Sequence, residues 1–166
     1  MLARLQSIAL VGIEAVPCEV EVDAASRGFE KASIVGLPDP GVKESLERIR
    51  SALQNSGYMW PQYKTVINLA PADIKKEGPA FDLPIALGLI FAGDQGAPAR
   101  VGNYLIAGEL ALDGRVRPIK GALSMAMLAR DRKAAGVIVP RENAAEAAVV
   151  SEVDVIGIGT LAEAVR

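Results

Sequence analysis

Histidine is absent from the 166 residues of this chain. That removes the imidazole base of Ser-His and Cys-His catalysis and leaves few options for a zinc site. Cysteine occurs once, at Cys18, so an internal disulfide is excluded and the composition fits a reducing cytoplasm. Aromatic residues make up only 4% while apolar residues reach 51%, so the core must be built from Val, Ile, Leu and Ala. No long hydrophobic run is present. The longest, Leu83 to Gly93, falls well short of the roughly 20 residues that span a bilayer. The opening MLARLQSIAL has neither a long apolar segment nor a cleavage site, so a secretory leader is not expected. The phosphate-loop pattern G-x-x-x-x-G-K-[ST] is missing too, and with it the means to hydrolyse ATP. Carboxylates are scattered, without a paired or metal-spaced cluster.

What is present reads as one cytoplasmic domain, residues 1–166, long enough to fold without a metal or disulfide staple. Its net charge of −2 hides an uneven distribution: −3 over residues 1–30, −1 over 31–113, +6 over 114–141 and −4 over 142–166. The basic block holds Arg115, Arg117, Lys120, Arg130, Arg132, Lys133 and Arg141 against Asp131 alone. Such a block could meet phosphate or an acidic partner, although a solvated helix face is the plainer reading.

The patterning places strands first. IALVGI and PCEVEVDA alternate apolar and polar residues, and Ala32–Val35 forms a third short strand. Pro38-Asp39-Pro40-Gly41 then launches a helix with Val42, Leu46, Ile49 and Leu53 on one stripe. Glu44 and Arg48 are spaced for an ion pair on its wet side, and Asn55-Ser56-Gly57 stops it. A strand over Tyr63–Leu69 leads into the loop APADIKKEGPAF. Asp82 is placed to cap the following helix, LPIALGLIFAG, which has no polar face and should be buried. Further expectations are a strand at Asn103–Ala107, a hairpin over Glu109–Arg117 turning at Asp113-Gly114, and a helix over 121–135. Beyond them come a strand at Val137–Val139, a short helix over Glu142–Val149, a strand at Val153–Ile158 and a terminal helix. The fold class is α/β or α+β with a mixed sheet.

Three local patterns bear on chemistry. Gly157, Gly159 and Ala162 spell G-x-G-x-x-A, but no second βα unit follows, so a plain strand–turn–helix is the better reading. Lys75 and Lys76 sit in a glycine loop before a helix, a place where anions can bind and where solvated lysines are also ordinary. Lys120 and Ser124 are four residues apart, the spacing of a Ser-Lys dyad on one helix face, although a surface pair is the plainer reading.

Longer segments carry a resemblance. SIVGLPDPGVKESLERIRSAL, INLAPADIKKEGPAFDLPIALGLI and GELALDGRVRPIKGALSMAMLARDRKAAGVIVPRENAAEAA are similar to blocks of the ComM/YifB family of Mg-chelatase-like AAA+ ATPases. The last is similar to the Lon protease domain as well. The resemblance implies a fold like the second domain of ribosomal protein S5, a mixed sheet with packed helices shared by Lon proteases. In Lon-type proteases the serine nucleophile stands third in the loop matching Gly78-Pro79-Ala80, so its position here is Ala80. The catalytic lysine falls, counting without gaps, on Leu123. Both halves of the dyad are therefore absent, and the expectation is a non-catalytic scaffold domain. The resemblance implies a following ATPase module, to which ATP and Mg2+ would belong, and like subunits in a ring, with no membrane. It implies a context of DNA branch migration during transformation. Lys75, Lys76, Arg115, Arg117 and Lys120 are the expected nucleic-acid contacts, gathered into one patch around the vacated dyad.

Overall fold

A computed structural model describes residues 1–36, 38–93, 95 and 101–165. Its backbone is a mixed α/β arrangement. The strands are β1 (Leu2–Val11), β2 (Glu14–Ala24), β3 (Lys31–Val35), β4 (Lys64–Ala70), β5 (Tyr104–Ile106), β6 (Glu109–Leu110), β7 (Val116–Arg117), β8 (Gly136–Pro140) and β9 (Asp154–Ile158). The helices are α1 (Pro40–Asn55), α2 (Asp82–Ala92), α3 (Ala122–Asp131), α4 (Ala144–Ala147) and α5 (Leu161–Val165). Seven strands form one sheet in the order β3-β4-β2-β1-β5-β8-β9, and β6 and β7 make a separate ribbon. The β1–β2 and β2–β4 pairs are antiparallel. The β1–β5, β3–β4, β5–β8 and β8–β9 pairs are parallel.

Side chains alternate across a strand, so one sheet feeds two cores. Leu5, Val20, Val22, Ile67 and Leu69 face the layer of α1, α2 and α5. Ile8, Leu105, Val137 and Val139 face α3 and α4. All eleven residues of α2 are buried, as its lack of a polar face requires. β8, GVIVP, is buried throughout, the pattern of a parallel strand covered on both sides. Over β2 and β4 the second face instead carries polar pairs, Glu21 with Arg4 at 3.2 Å and with Asn68 at 2.9 Å.

Several local expectations are corrected. Arg48 does not pair with Glu44. It turns inward to Asp82, whose carboxylate is fully buried in the α1–α2 layer. Asp82 accordingly does not cap α2, which follows one turn of 3-10 helix at Pro79–Phe81 without a side-chain cap. In α1, Val42, Ile49 and Leu53 are buried as the stripe predicts, joined by Ser45 and Ala52, while Leu46 is half-buried. Its start is capped by the Asp39 carboxylate accepting from the Val42 N–H at 2.7 Å. The helix expected over 121–135 ends at Asp131, because Lys133 adopts positive φ. The segment 142–149 gives one turn of 3-10 helix and then only the short α4.

Candidate functional site

The loop that carries the Lon-like nucleophile position is fixed by backbone bonds at its far end. Gly108 donates to the Ala80 carbonyl at 2.9 Å, and Leu83 donates to the Gly108 carbonyl at 3.0 Å. Gly108 has to be small: a Cβ there would lie 2.9 Å from Val116 and 3.2 Å from Leu83. Ala80 and Ile119 are half-buried against the core that holds Met125, Ala126 and Ala129 of α3. The structure thus brings Ala80 of the loop and Ile119 of the β7–α3 segment against one core. Yet Ala80 offers a methyl group, and Leu123 lies half-exposed on α3 with its backbone N–H donating to Glu146 at 3.0 Å.

The Ser124 hydroxyl nearby is already engaged. Ser124 donates to the Ile13 carbonyl at 2.9 Å. Lys120 stands before the helix, since Gly121 at φ 86° is the residue that precedes α3. The two therefore do not share a helix face, contrary to the spacing argument.

Lys76 requires a larger correction. It is fully buried, and its ammonium donates to the carbonyl oxygens of Gly36 and Pro71. Its backbone pairs with Pro38 in an isolated bridge, and its carbonyl accepts from Asp39 at 3.0 Å. Burial pushes its pKa down, opposed by the nearby Cys18 and Asp73. A lysine so engaged presents no charge to a ligand, so it leaves the expected nucleic-acid patch. Its neighbour Lys75 is exposed and lies 3.7 Å from Glu77. Among the described residues, no hydrogen bond, ion pair or bridge joins either lysine to Arg115, Arg117 or Lys120.

The basic block assembles differently from its expectation. Arg115, Arg117 and Arg141 line one cleft of about 290 Å3 together with Val116, Pro118 and Glu142. Its walls are held by Val116 N–H to Gly159 at 2.9 Å, Leu161 N–H to Gly114 at 2.8 Å, and a bridge between Arg115 and Thr160. The Arg141 guanidinium lies over Gly159, where a Cβ would come 3.0 to 3.2 Å from it. This arginine is not among the expected site residues, although it belongs to the basic block.

Each arginine already has a carboxylate. Arg115 meets Asp113 at 2.9 Å, Arg117 meets Glu109 at 3.8 Å, and Arg141 meets Glu163 at 2.9 Å and 3.2 Å. The Gly159 N–H and then Arg141 hold Glu163 below its ordinary pKa, and the Arg115 N–H and side chain do the same for Asp113. Much of the +6 is therefore neutralised locally. A larger groove of about 440 Å3, lined by Met59, Trp60, Tyr63 and Leu89, involves neither dyad position nor any member of the basic block. Among the described residues, no helix is long and apolar enough to cross a membrane, and no cluster of three or more potential metal ligands occurs.

Comparison with known proteins sets this geometry in a family. Residues 20–143 match the family model described as subunit ChlI of Mg-chelatase. The chain is 44% identical to YifB of Salmonella typhimurium over 91% of its own length and 29% of that protein. It is 38% identical to the competence protein ComM of Haemophilus influenzae over 99% of its length and 32% of that protein. A more distant match is Lon protease 2 of Bacillus subtilis, 27% identical over 89% of this chain and 25% of the protease. The chain therefore spans just under a third of the YifB and ComM proteins it matches. With a ChlI match over most of its length and its likeness to Lon confined to lower identity, this chain belongs to the ChlI-like domain family of YifB and ComM proteins.

Proposed function

We propose that this chain is a non-catalytic interaction domain. In this reading a Lon-like fold, of the type of ribosomal protein S5 domain 2, is kept without its chemistry to help organise a ring-forming ATPase of the ComM/YifB kind. The support for this reading is that, by the Lon-like resemblance, Ala80 and Leu123 fall where a hydroxyl and an amine are needed. Ser124 is committed to the Ile13 carbonyl, and Lys76 to two loop carbonyls. The fold therefore persists without the site that would make it an enzyme. Purified protein is expected to leave casein and fluorogenic peptides uncleaved and to resist serine-directed labelling reagents. Labelling that disappears in Ser124→Ala would overturn the reading.

The arginine cleft favours a second element, a contact with the DNA backbone, in keeping with the competence named for the Haemophilus relative. A phosphate there must compete with Asp113, Glu109 and Glu163, so binding should be weak and salt-sensitive. Filter binding to branched and single-stranded DNA at two salt concentrations tests it. Arg115→Ala, Arg117→Ala and Arg141→Ala each remove one guanidinium from the phosphates, and each should lower the salt slope by about one unit. Unchanged binding in the triple variant would remove the cleft from the DNA contact. Absence of binding in the parent would leave a regulatory or scaffold role contacting protein alone.

A further inference from the structure

The β1–β2 hairpin carries open apolar surface at both of its ends. Its strands pair from Leu2–Asp23 to Val11–Glu14, a ladder roughly 30 Å long. From Ile8–Pro17 to the turn, the two strands have no other strand partner among the described residues. At that turn Gly12 takes positive φ, and Val11 is 55% and Ile13 89% exposed. The tip is braced from one side only: Ser124 of α3 donates to the Ile13 carbonyl at 2.9 Å, and Leu10 lies over Gly121. The hairpin therefore presents a fixed apolar knob, and exposed apolar surface of this kind marks contact sites in soluble proteins.

The opposite end of the ladder borders the groove of about 440 Å3. Met1 and Ala24, bonded to each other across that end of the hairpin, line it together with Met59, Trp60, Tyr63 and Leu89. Trp60 and Leu89 pack on the core beneath, whereas Met59 is 60% and Tyr63 41% exposed. An apolar cavity of about 150 Å3 holds a benzene ring, so this groove has room for more than one aliphatic side chain. Among the described residues, none that lines it has a charged side chain. A phosphate or carboxylate finds no partner there, and the groove suits an apolar occupant. Complementary charge stands just outside: Lys64 follows Tyr63 and Glu14 follows Ile13, both exposed. Neither has an ion-pair partner among the described residues.

Resting on the interaction-domain reading, we infer that the hairpin tip of one copy seats in the groove of the next, head to tail. Knob and groove lie at opposite ends of one ladder, so only two copies of the chain can bring them together. Val11 and Ile13 supply the apolar side chains that the groove accepts, and Glu14 and Lys64 supply opposite charges at its edge. Because the tip is already braced on α3, little ordering is needed when it docks. Such a contact joins two different surfaces, so each added copy leaves one knob and one groove open. Association then continues until the rotation between neighbours closes a ring, or runs on as a filament where it does not. The arginine cleft lies on neither surface and stays open to its own ligand.

Sedimentation velocity of the chain over a range of concentrations tests the contact. The parent should associate beyond a dimer, and should still do so at high salt because most of the contact is apolar. Val11→Glu with Ile13→Glu removes the knob, and Met59→Glu with Tyr63→Glu blocks the groove. All four positions are exposed, so circular dichroism should stay that of the parent. Each double variant alone should associate at least about tenfold more weakly. Mixed in equal amounts, the two keep one sound knob and one sound groove, and should form a one-to-one heterodimer that grows no further. The mixture also controls for folding, since each variant has to supply its intact half. A parent that stays monomeric at millimolar concentration would overturn the inference, as would one that stops at a dimer or dissociates in high salt. So would a mixture that stays monomeric, or a groove variant that associates as the parent does. Failure of the interaction-domain reading would show separately, as peptidase activity in a chain that still associates.

Discussion

Charge beneath α1 and α2 is scarce and tightly matched, whereas charge around β7 and α3 is abundant and loosely held. In the first region Asp82 is fully buried and accepts from Arg48 Nε at 2.8 Å, from a second Arg48 nitrogen at 3.0 Å and from the Leu110 N–H at 3.0 Å. Arg48 also donates to the buried Ser45 hydroxyl at 3.1 Å. In the second region the side chains of Arg115, Arg117 and Arg141 are each more than half exposed, and water can replace any of their partners. Pairs of the same residue types therefore serve opposite ends. A buried pair that loses one partner leaves an uncompensated charge, while an exposed pair is worth little to stability and remains available to a ligand.

The contrast can be broken at graded cost. Asp82→Ala should be the most damaging change, lowering the unfolding free energy by about 3 to 5 kcal/mol in urea titration. It strands both Arg48 and the Leu110 N–H, and a loss comparable to a surface substitution would show that the pair is not needed. Lys76→Met should follow at about 2 to 4 kcal/mol, because two carbonyl oxygens lose their donor in a dry site.

A smaller effect is set by pH. Burial pushes the Cys18 thiol up from its ordinary 9.0 to about 11, with Lys76 opposing the shift. Below 9 the thiol is protonated in both folded and unfolded chains, and its contribution is complete. Between 9 and 11 the unfolded chain releases the proton and the folded chain keeps it, so stability falls as pH rises, by at most roughly 3 kcal/mol. Lys76, with its pKa pushed down, also changes its protonation as pH climbs toward its ordinary 10.5, and it acts in the opposite sense. Comparing the parent with Cys18→Ala over this range therefore reports the thiol together with its coupling to Lys76. Identical pH profiles would mean that the cysteine is not shielded. The smallest effect belongs to Arg115→Ala, Arg117→Ala and Lys120→Ala combined, where each exposed change should shift stability within about 0.5 kcal/mol. A cooperative loss of several kcal/mol would move those residues into the first class.

Element identities were largely legible because they follow from local periodicity. The alternation of β2 and the uninterrupted apolar run of α2 are local signals, and both elements lie where those signals put them. The Arg48–Asp82 pair was not legible, because 34 residues separate its members and the i,i+4 spacing of Glu44 and Arg48 offered a nearer partner. Lys75 and Lys76 are chemically identical neighbours, and nothing local says which one is drawn under the loop. The vacated dyad positions came from resemblance to a family, and the structure places Ala80 beside the core packed by α3. The cleft itself depends on residues 115, 117, 141 and 159 converging from three separate stretches of chain, which no single window of sequence contains.

Lys76 also has a mechanical consequence. Through one side chain and one backbone it holds Gly36 after β3, Asp39 at the entrance to α1 and Pro71 after β4. These three connections cannot open one at a time without breaking the same knot. Amide exchange through this region should therefore be correlated, with the loops protected together and released together as a single opening unit. A movement imposed on the entrance of α1, as by a partner gripping that end of the helix, would be carried to the exit of β4 without passing through the core.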